Sequence, residues 1–313
     1  MGFRSILFSL LLSCLIAFFL PGDGRVPWMN DWILIEHLKE HVRNLQGVRE
    51  PYGHYQELQQ AAQYLREEML KTGLRVWEEP FEWEGREFKN IIGERKGTIS
   101  PERVYIVGAH YDTVTGSPGA DDNASGLAVL LELARNLRAV STDSTIRLIA
   151  FCLEEYGYIG SMRYAERARK EGEQIPGMIS IEMVGYTGRK QDYPPYINPK
   201  HFPNVGDFAG IIGNVRSKEL LERVSRCFKA FVPHLPVELL VVPGNGEGME
   251  EVRLSDHGPF WDQGFQALMV TDTAFLRNPN YHLPGDTMET LDFEFMRKVG
   301  TGIFYSILEL AKS

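Results

Sequence analysis

Cysteine is scarce, three in 313 residues. One of them, Cys14, lies in an N-terminal apolar stretch, and Cys152 and Cys227 alone make no disulfide framework. Cys152 stands in the run Phe151-Cys152-Leu153 and reads as a small buried hydrophobe, so no structural disulfide is expected. Basic charge is short as well: 33 Lys+Arg face 42 Asp+Glu, for a formal net charge of −9. That balance argues against nucleic acid or an anionic membrane surface as the main partner. Only 24% of residues are charged against 43% hydrophobic, which excludes a disordered tail or a coiled coil. There is no internal repeat and no linker-like composition, so one domain over about 25–313 is expected.

The first 24 residues contain Arg4 and Asp23 as their only charges, and Ile6 to Leu20 is an apolar stretch broken by Ser9 and Ser13. Residues 1–24 therefore read as a signal peptide or an N-terminal anchor, and the protein as exported: periplasmic, secreted or anchored. There is no Ala-x-Ala site, but Gly22 and Gly24 offer small residues for cleavage. No membrane insertion is expected of the remaining domain.

Helical periodicity runs over 31–46 and 55–71, with Gly73 placed to end the second helix. Beyond it strands and helices alternate. Strands are expected at 76–81, 88–92, 104–109, 146–153, 178–183, 237–242 and 267–271. Helices are expected at 125–137, 161–170, 217–229 and from the capping residue Asp292 to about 311. The pattern predicts an α/β fold, a three-layer α/β/α sandwich around a mixed, mostly parallel sheet. Residues 186–216, rich in Pro and Gly, read as a long binding loop or lid.

In such sheets ligands bind beyond the carboxyl ends of the strands. Here those ends carry His110-Tyr111-Asp112, Glu154-Glu155, Glu182 and, after a short loop, Tyr281-His282; Asp121-Asp122 precede the helix that follows the first. Taken singly, each has an ordinary explanation such as a solvated loop or an N-cap. Together they would repel one another unless a cation compensated them. His110, Asp122, Glu155, Glu182 and His282 are thus candidate ligands of one or two divalent metals. Nitrogen and carboxylate donors without thiolate suit a catalytic Zn2+, with Mn2+ or Co2+ as substitutes. The sequon Asn123-Ala124-Ser125 beside a candidate ligand reads as accidental.

The ordered segments Gly108-Ala109-His110-Tyr111-Asp112, Pro118 to Gly126, Glu154-Glu155-Tyr156-Gly157-Tyr158-Ile159-Gly160-Ser161, Glu182 to Tyr186, Ser255-Asp256-His257 and Tyr281 to Thr287 resemble the M28 family of zinc peptidases, of the bacterial double-zinc aminopeptidase type. The resemblance implies the zinc-exopeptidase fold and two zinc ions per chain. One would be held by His110 and Glu182, the other by Glu155 and His282, with Asp122 bridging and its peptide to Asn123 cis. Glu182 stands where many members carry Asp. Glu154 is the candidate general base, and Tyr281 matches a position that in some members stabilises the tetrahedral intermediate. Asp112 is expected to orient His110, with Asp286 and Asp256 as further supporting carboxylates. The substrate implied is a peptide with a free N-terminus. Alternatives are a glutaminyl cyclase with one zinc, a carboxypeptidase using Arg253 or Arg277 to hold a C-terminal carboxylate, and a non-catalytic ectodomain that should have lost ligands.

Overall fold

The computed structural model describes residues 32–312, so the expectation for 1–24 lies outside the described residues. From Ile33 onward the chain forms one compact unit. Helices α1 (Ile35–Leu45) and α2 (Tyr55–Lys71) come first, and α2 ends where Gly73 takes a left-handed φ of 77°. Strands β1 (Arg75–Trp83) and β2 (Arg86–Arg95) form a hairpin closed by Glu84 and Gly85, both at positive φ, as a two-residue hairpin turn of this hand requires.

There follow β3 (Ser100–His110), α3 (Gly126–Leu137), β4 (Ser144–Phe151), α4 (Ile159–Glu171) and β5 (Gln174–Glu182). Then come β6 (Ala209–Asn214), α5 (Lys218–Phe231), β7 (Val237–Val242), the short α6 (His257–Asp262), β8 (Ala267–Thr271) and α7 (Phe293–Leu310). The Asp292 side chain caps α7 by accepting from the Glu294 and Phe295 N–H groups.

The eight strands form one sheet in the order β1-β2-β4-β3-β5-β8-β6-β7. The inner strands β4, β3, β5 and β8 are parallel, which sends four carboxyl ends to one edge. Their apolar runs, such as Val104–Ala109 and Ile146–Phe151, are buried because helices cover both faces. Helices α4 and α6 lie on one side; Tyr164, Ala165, Phe260 and Trp261 pack there with Ile106, Phe151 and Met178. The other five helices pack on the opposite side. Cys152 and Cys227 are buried and unbridged.

One expectation needs correction. Residues 186–216 are not all loop: Ala209–Asn214 is the buried strand β6. Its glycines and a flanking proline-rich segment disguise it, and the pairing that creates it, antiparallel to β8 and parallel to β7, comes from distant parts of the chain. Because β6 and β7 run opposite to β8, their amino ends share the edge where β3, β4, β5 and β8 have their carboxyl ends.

Candidate metal centre

His110 is the last residue of β3 and Glu182 the last of β5; Glu154 and Glu155 follow β4 within four residues. Asp122 lies in the turn before α3, and its peptide bond to Asn123 is cis. His282 comes from the loop after β8. These separate segments converge. His110, Asp122 and Glu182 offer donor atoms within 4.8 Å of one another, as do Asp122, Glu155 and His282. Asp122 belongs to both sets: its Oδ1 is 3.1 Å from His110 Nε2 and its Oδ2 is 3.1 Å from His282 Nε2. Glu182 Oε1 is 3.6 Å from His110 Nε2, and Glu155 Oε2 is 3.1 Å from His282 Nε2.

Whether a metal fits is tested by the free valences. The Nε2 atoms of His110 and His282 and Oε1 of Glu155 are buried without a hydrogen-bond partner, so their lone pairs point into shared space. His110 Nδ1 lies 3.2 Å from the Asp112 carbonyl oxygen, an acceptor that places the ring proton on Nδ1 and leaves Nε2 as a donor to a cation. The residues fit a pair of divalent ions such as Zn2+.

The electrostatics agree. Burial opposes charge on His110, yet Glu182, Glu154 and Asp122 around it hold its imidazole well above the usual histidine range. Burial likewise opposes charge on His282, but Asp122 and Glu155 raise it to about 10. Burial and neighbouring Asp122 push Glu155 up to about 8, while Glu154 is held well above the carboxylate range by burial, with Glu182 and Glu155 adding to it against His110. A cation held among these groups would compete with protons for the same lone pairs.

The supporting shell differs from expectation at Asp112 and Asp256, and Asp286 acts in it through backbone groups. The Asp112 carboxylate does not accept from His110, whose Nδ1 is 3.8 Å away. It accepts instead from the backbone N–H groups of Glu154 (3.0 Å) and Glu155 (3.1 Å), and fixes both glutamates from behind. Asp286 holds Asp122: its two oxygens accept from the Asp121 (2.8 Å) and Asp122 (3.1 Å) N–H groups. Asp256 is fully buried near the site with neither oxygen hydrogen-bonded, and burial raises its carboxyl to about 7 despite nearby His110. The residue of that segment that touches a candidate ligand is Ser255, whose hydroxyl donates to Glu182 Oε2 at 2.8 Å. In the sequence Ser255 is visible only as a member of the Ser255-Asp256-His257 segment, with nothing to mark its hydroxyl as a partner of Glu182.

Asp121 faces away from the centre, its carboxylate taken by the Gly185 N–H and the Asn278 amide. Asn123 is fully buried and bonds Ile181, Met183 and Gly126, so its sequon is inaccessible in the fold. Leu153, Met183 and His282, each a site residue or next to one, have positive φ, a strained state that the surrounding contacts must hold.

A cavity opens over the centre, lined by Asp122, Glu154, Glu155, Tyr158, Glu182, Tyr281 and His282 among others. Tyr281 stacks on His282 with centroids 3.7 Å apart. Tyr281, Glu182 and Leu254 also line a second, largely apolar cavity that runs over β8, β6 and β7. Among the described residues no Lys or Arg lines either cavity. Arg253 is engaged with Asn245 and Asp262, and Arg277 with Gln191 and the face of Phe208.

A sequence profile described as "Peptidase family M28" matches residues 90–307. The chain is 33% identical to the uncharacterized protein YfbL of Escherichia coli strain K12, over 95% of each chain. It is 28% identical to the crystal structure of BSAP, a zinc aminopeptidase from Bacillus subtilis, with a TM-score of 0.59. That match covers 74% of this chain and 52% of the other, so the chain spans about half of that enzyme. The crystal structure of a Porphyromonas gingivalis glutaminyl cyclase has the same fold, with 19% identity and a TM-score of 0.69, covering 90% of this chain and 99% of the other.

Proposed function

The chain belongs to peptidase family M28, and on that premise we propose that it is a zinc-dependent aminopeptidase that removes the N-terminal residue from peptides with a free amine. The observation that carries the reading is Asp122, one carboxylate whose two oxygens face two different imidazoles at 3.1 Å each, so that two donor sets share it. His110, Asp122 and Glu182 would hold one ion and Asp122, Glu155 and His282 the other. Zinc there supplies a Lewis acid for the scissile carbonyl and lowers the pKa of a water.

The chain's own residues do the rest. Glu154, in the cavity wall with its backbone held by Asp112, takes a proton from the attacking water and returns it to the leaving amine. Tyr281, at the rim of both cavities, offers its hydroxyl to the carbonyl oxygen as charge develops on it; burial and the nearby carboxylates keep that hydroxyl protonated.

The cyclase reading shares the fold but needs one zinc, which leaves the second donor set without a purpose. A carboxypeptidase needs a cation for the substrate carboxylate, and none lines either cavity among the described residues. A non-catalytic ectodomain has no need of a full donor set. From the N-terminal segment we also propose export; Edman sequencing of the protein recovered from medium or cell envelope would identify a cut near Gly24, while an intact Met1 on protein from the cytosol would refute it.

The test of the activity is metal content together with hydrolysis of aminoacyl anilides, free and acetylated at the amine, before and after chelation. Near two zinc ions per chain and chelator-sensitive cleavage of the free-amine substrates alone are expected. One zinc with cyclisation of N-terminal glutamine would replace the reading.

A further inference from the structure

The apolar cavity beside the metal centre has a charge pattern that its walls do not require. Register across the sheet aligns Glu182 on β5 with Thr271 on β8, Thr271 with Gly210 on β6, and Gly210 with Glu238 on β7. Directly paired residues point to the same face, so these four form one row across four strands, and all four line the cavity. At roughly 4.8 Å per strand the row spans about 14 Å from a candidate metal ligand to Glu238. Between the two carboxylates the floor is small: Thr271, then Gly210 with no side chain. The next row, Met269, Ile212 and Leu240, paves the floor with apolar side chains.

The carboxylates along this cavity differ in what they already do. Glu182 accepts from Ser255 and faces His110. Glu251 accepts from the Tyr196 hydroxyl at 2.7 Å. The Glu238 carboxylate makes no hydrogen bond and no ion pair with any described residue, and among the described residues no Lys or Arg lines the cavity to compensate it. A half-buried carboxylate facing an apolar trough without a partner costs free energy in the empty protein, and burial raises its pKa. A ligand with a cationic end would remove that cost.

We propose that the cavity receives the side chain of the substrate's N-terminal residue and selects for lysine or arginine, with Glu238 as the specificity-determining residue at its far end. The inference rests on the aminopeptidase reading and extends it to a substrate class. The methylene stem of Lys or Arg lies over Met269, Ile212 and Leu240 and passes the gap at Gly210, and its cationic head meets Glu238. Leucine fills the near half of the trough and stops short of the carboxylate. A Cβ on Gly210 would have Ile212, the Thr271 carbonyl and Thr273 at 3.5 Å, so a methyl is accommodated while a larger group projects into the passage.

The experiment compares kcat/KM of the zinc-loaded full chain on lysyl, arginyl, norleucyl and alanyl anilides; norleucine has the carbon stem of lysine without its amine. The wild type is expected to favour lysyl over norleucyl at least tenfold, an advantage that shrinks as salt is raised. Glu238→Gln, isosteric and on a half-exposed edge strand, should bring that ratio near one, chiefly through KM. Gly210→Val should lower the three long substrates tenfold or more relative to alanyl. A wild-type ratio at or below one, or a ratio unmoved by Glu238→Gln, overturns the inference while leaving the aminopeptidase in place. No turnover of any free-amine substrate removes the aminopeptidase reading, and this inference with it.

Discussion

The two halves of the sheet edge that carry the site are built differently. Under the metal centre the edge is made by the carboxyl ends of β3, β4 and β5, and its side chains are polar, largely buried and fixed through backbone N–H groups that donate to the Asp112 and Asp286 carboxylates. Under the apolar cavity it is made by the amino ends of β6 and β7, reversed relative to β8, and its walls include loops from 191–208, 251–254 and 273–276. The first half offers one arrangement of donors, as bond-making chemistry requires. The second is open and apolar, a surface whose shape substitutions can alter without touching the chemistry. On the proposed function catalysis and selection are thus separable, the two cavities meeting at Tyr281, Glu182 and Leu254.

The largest effects should come from the first half. Chelation should abolish turnover on every substrate alike, and added Zn2+ should restore it. Glu154→Gln should keep the zinc content and lower kcat about 10²- to 10⁴-fold with KM little changed, since it removes the proton acceptor and not a ligand. Equal turnover in the variant, measured with metal content on the same sample, would take Glu154 out of the role and blur the separation of the two halves.

What the sequence disclosed follows the same division. His110, Glu154, Glu155 and Glu182 stand at or just past the ends of apolar runs, so a rule about strand ends finds them without coordinates. Asp122 and His282, which lie off the strand ends, are brought to the same place by the turn before α3 and the loop after β8. Asp112 and Asp286 were marked as supporting carboxylates, but their partners are backbone N–H groups set by loop geometry, which residue types do not reveal. Ser255 was hidden for another reason: a hydroxyl next to Asp256 and His257 draws no notice until Glu182 is seen against it. The row from Glu182 to Glu238 depends on pairing between segments far apart in the chain, one of which, β6, reads as loop. Only tertiary structure creates it.

A middle-sized effect probes the support of the donors. Asp286→Asn leaves one carbonyl oxygen for two N–H groups, those of Asp121 and Asp122, so Asp122 should lose its fixed orientation. Zinc affinity, read by competition with a chromophoric chelator, should fall about 10- to 100-fold. The second half of the edge should answer in a different parameter. Ile212→Phe adds bulk at the centre of the cavity floor and should raise KM for long side chains roughly tenfold, with little change for alanyl substrates. A uniform loss of kcat in that variant would mean that the pocket and the centre are mechanically one unit.

The smallest effect lies away from both halves and serves as their control. Glu132 on α3 is fully buried and accepts from Arg135 at 2.7 and 3.0 Å, from the Leu34 N–H at 2.8 Å, and lies 3.0 Å from His37 Nδ1. Burial disfavours its charge, but Arg135 and the Leu34 N–H outweigh that and hold its pKa below the usual carboxylate value. A carboxylate whose folded pKa is lowered contributes stability that is present above the unfolded value of about 4.3 and is lost as pH falls through the folded value. Glu132→Gln should therefore cost about 1–3 kcal/mol at pH 7, a melting temperature lower by a few degrees. The gap between wild type and variant should narrow as the pH is taken below about 4. Substrate ratios at pH 7 should not move, because α1 and α3 meet on the helical layer and Glu132 lines neither cavity. A shifted lysyl-to-norleucyl ratio in this variant would show that global stability, and not the local contacts of the pocket, sets the selectivity.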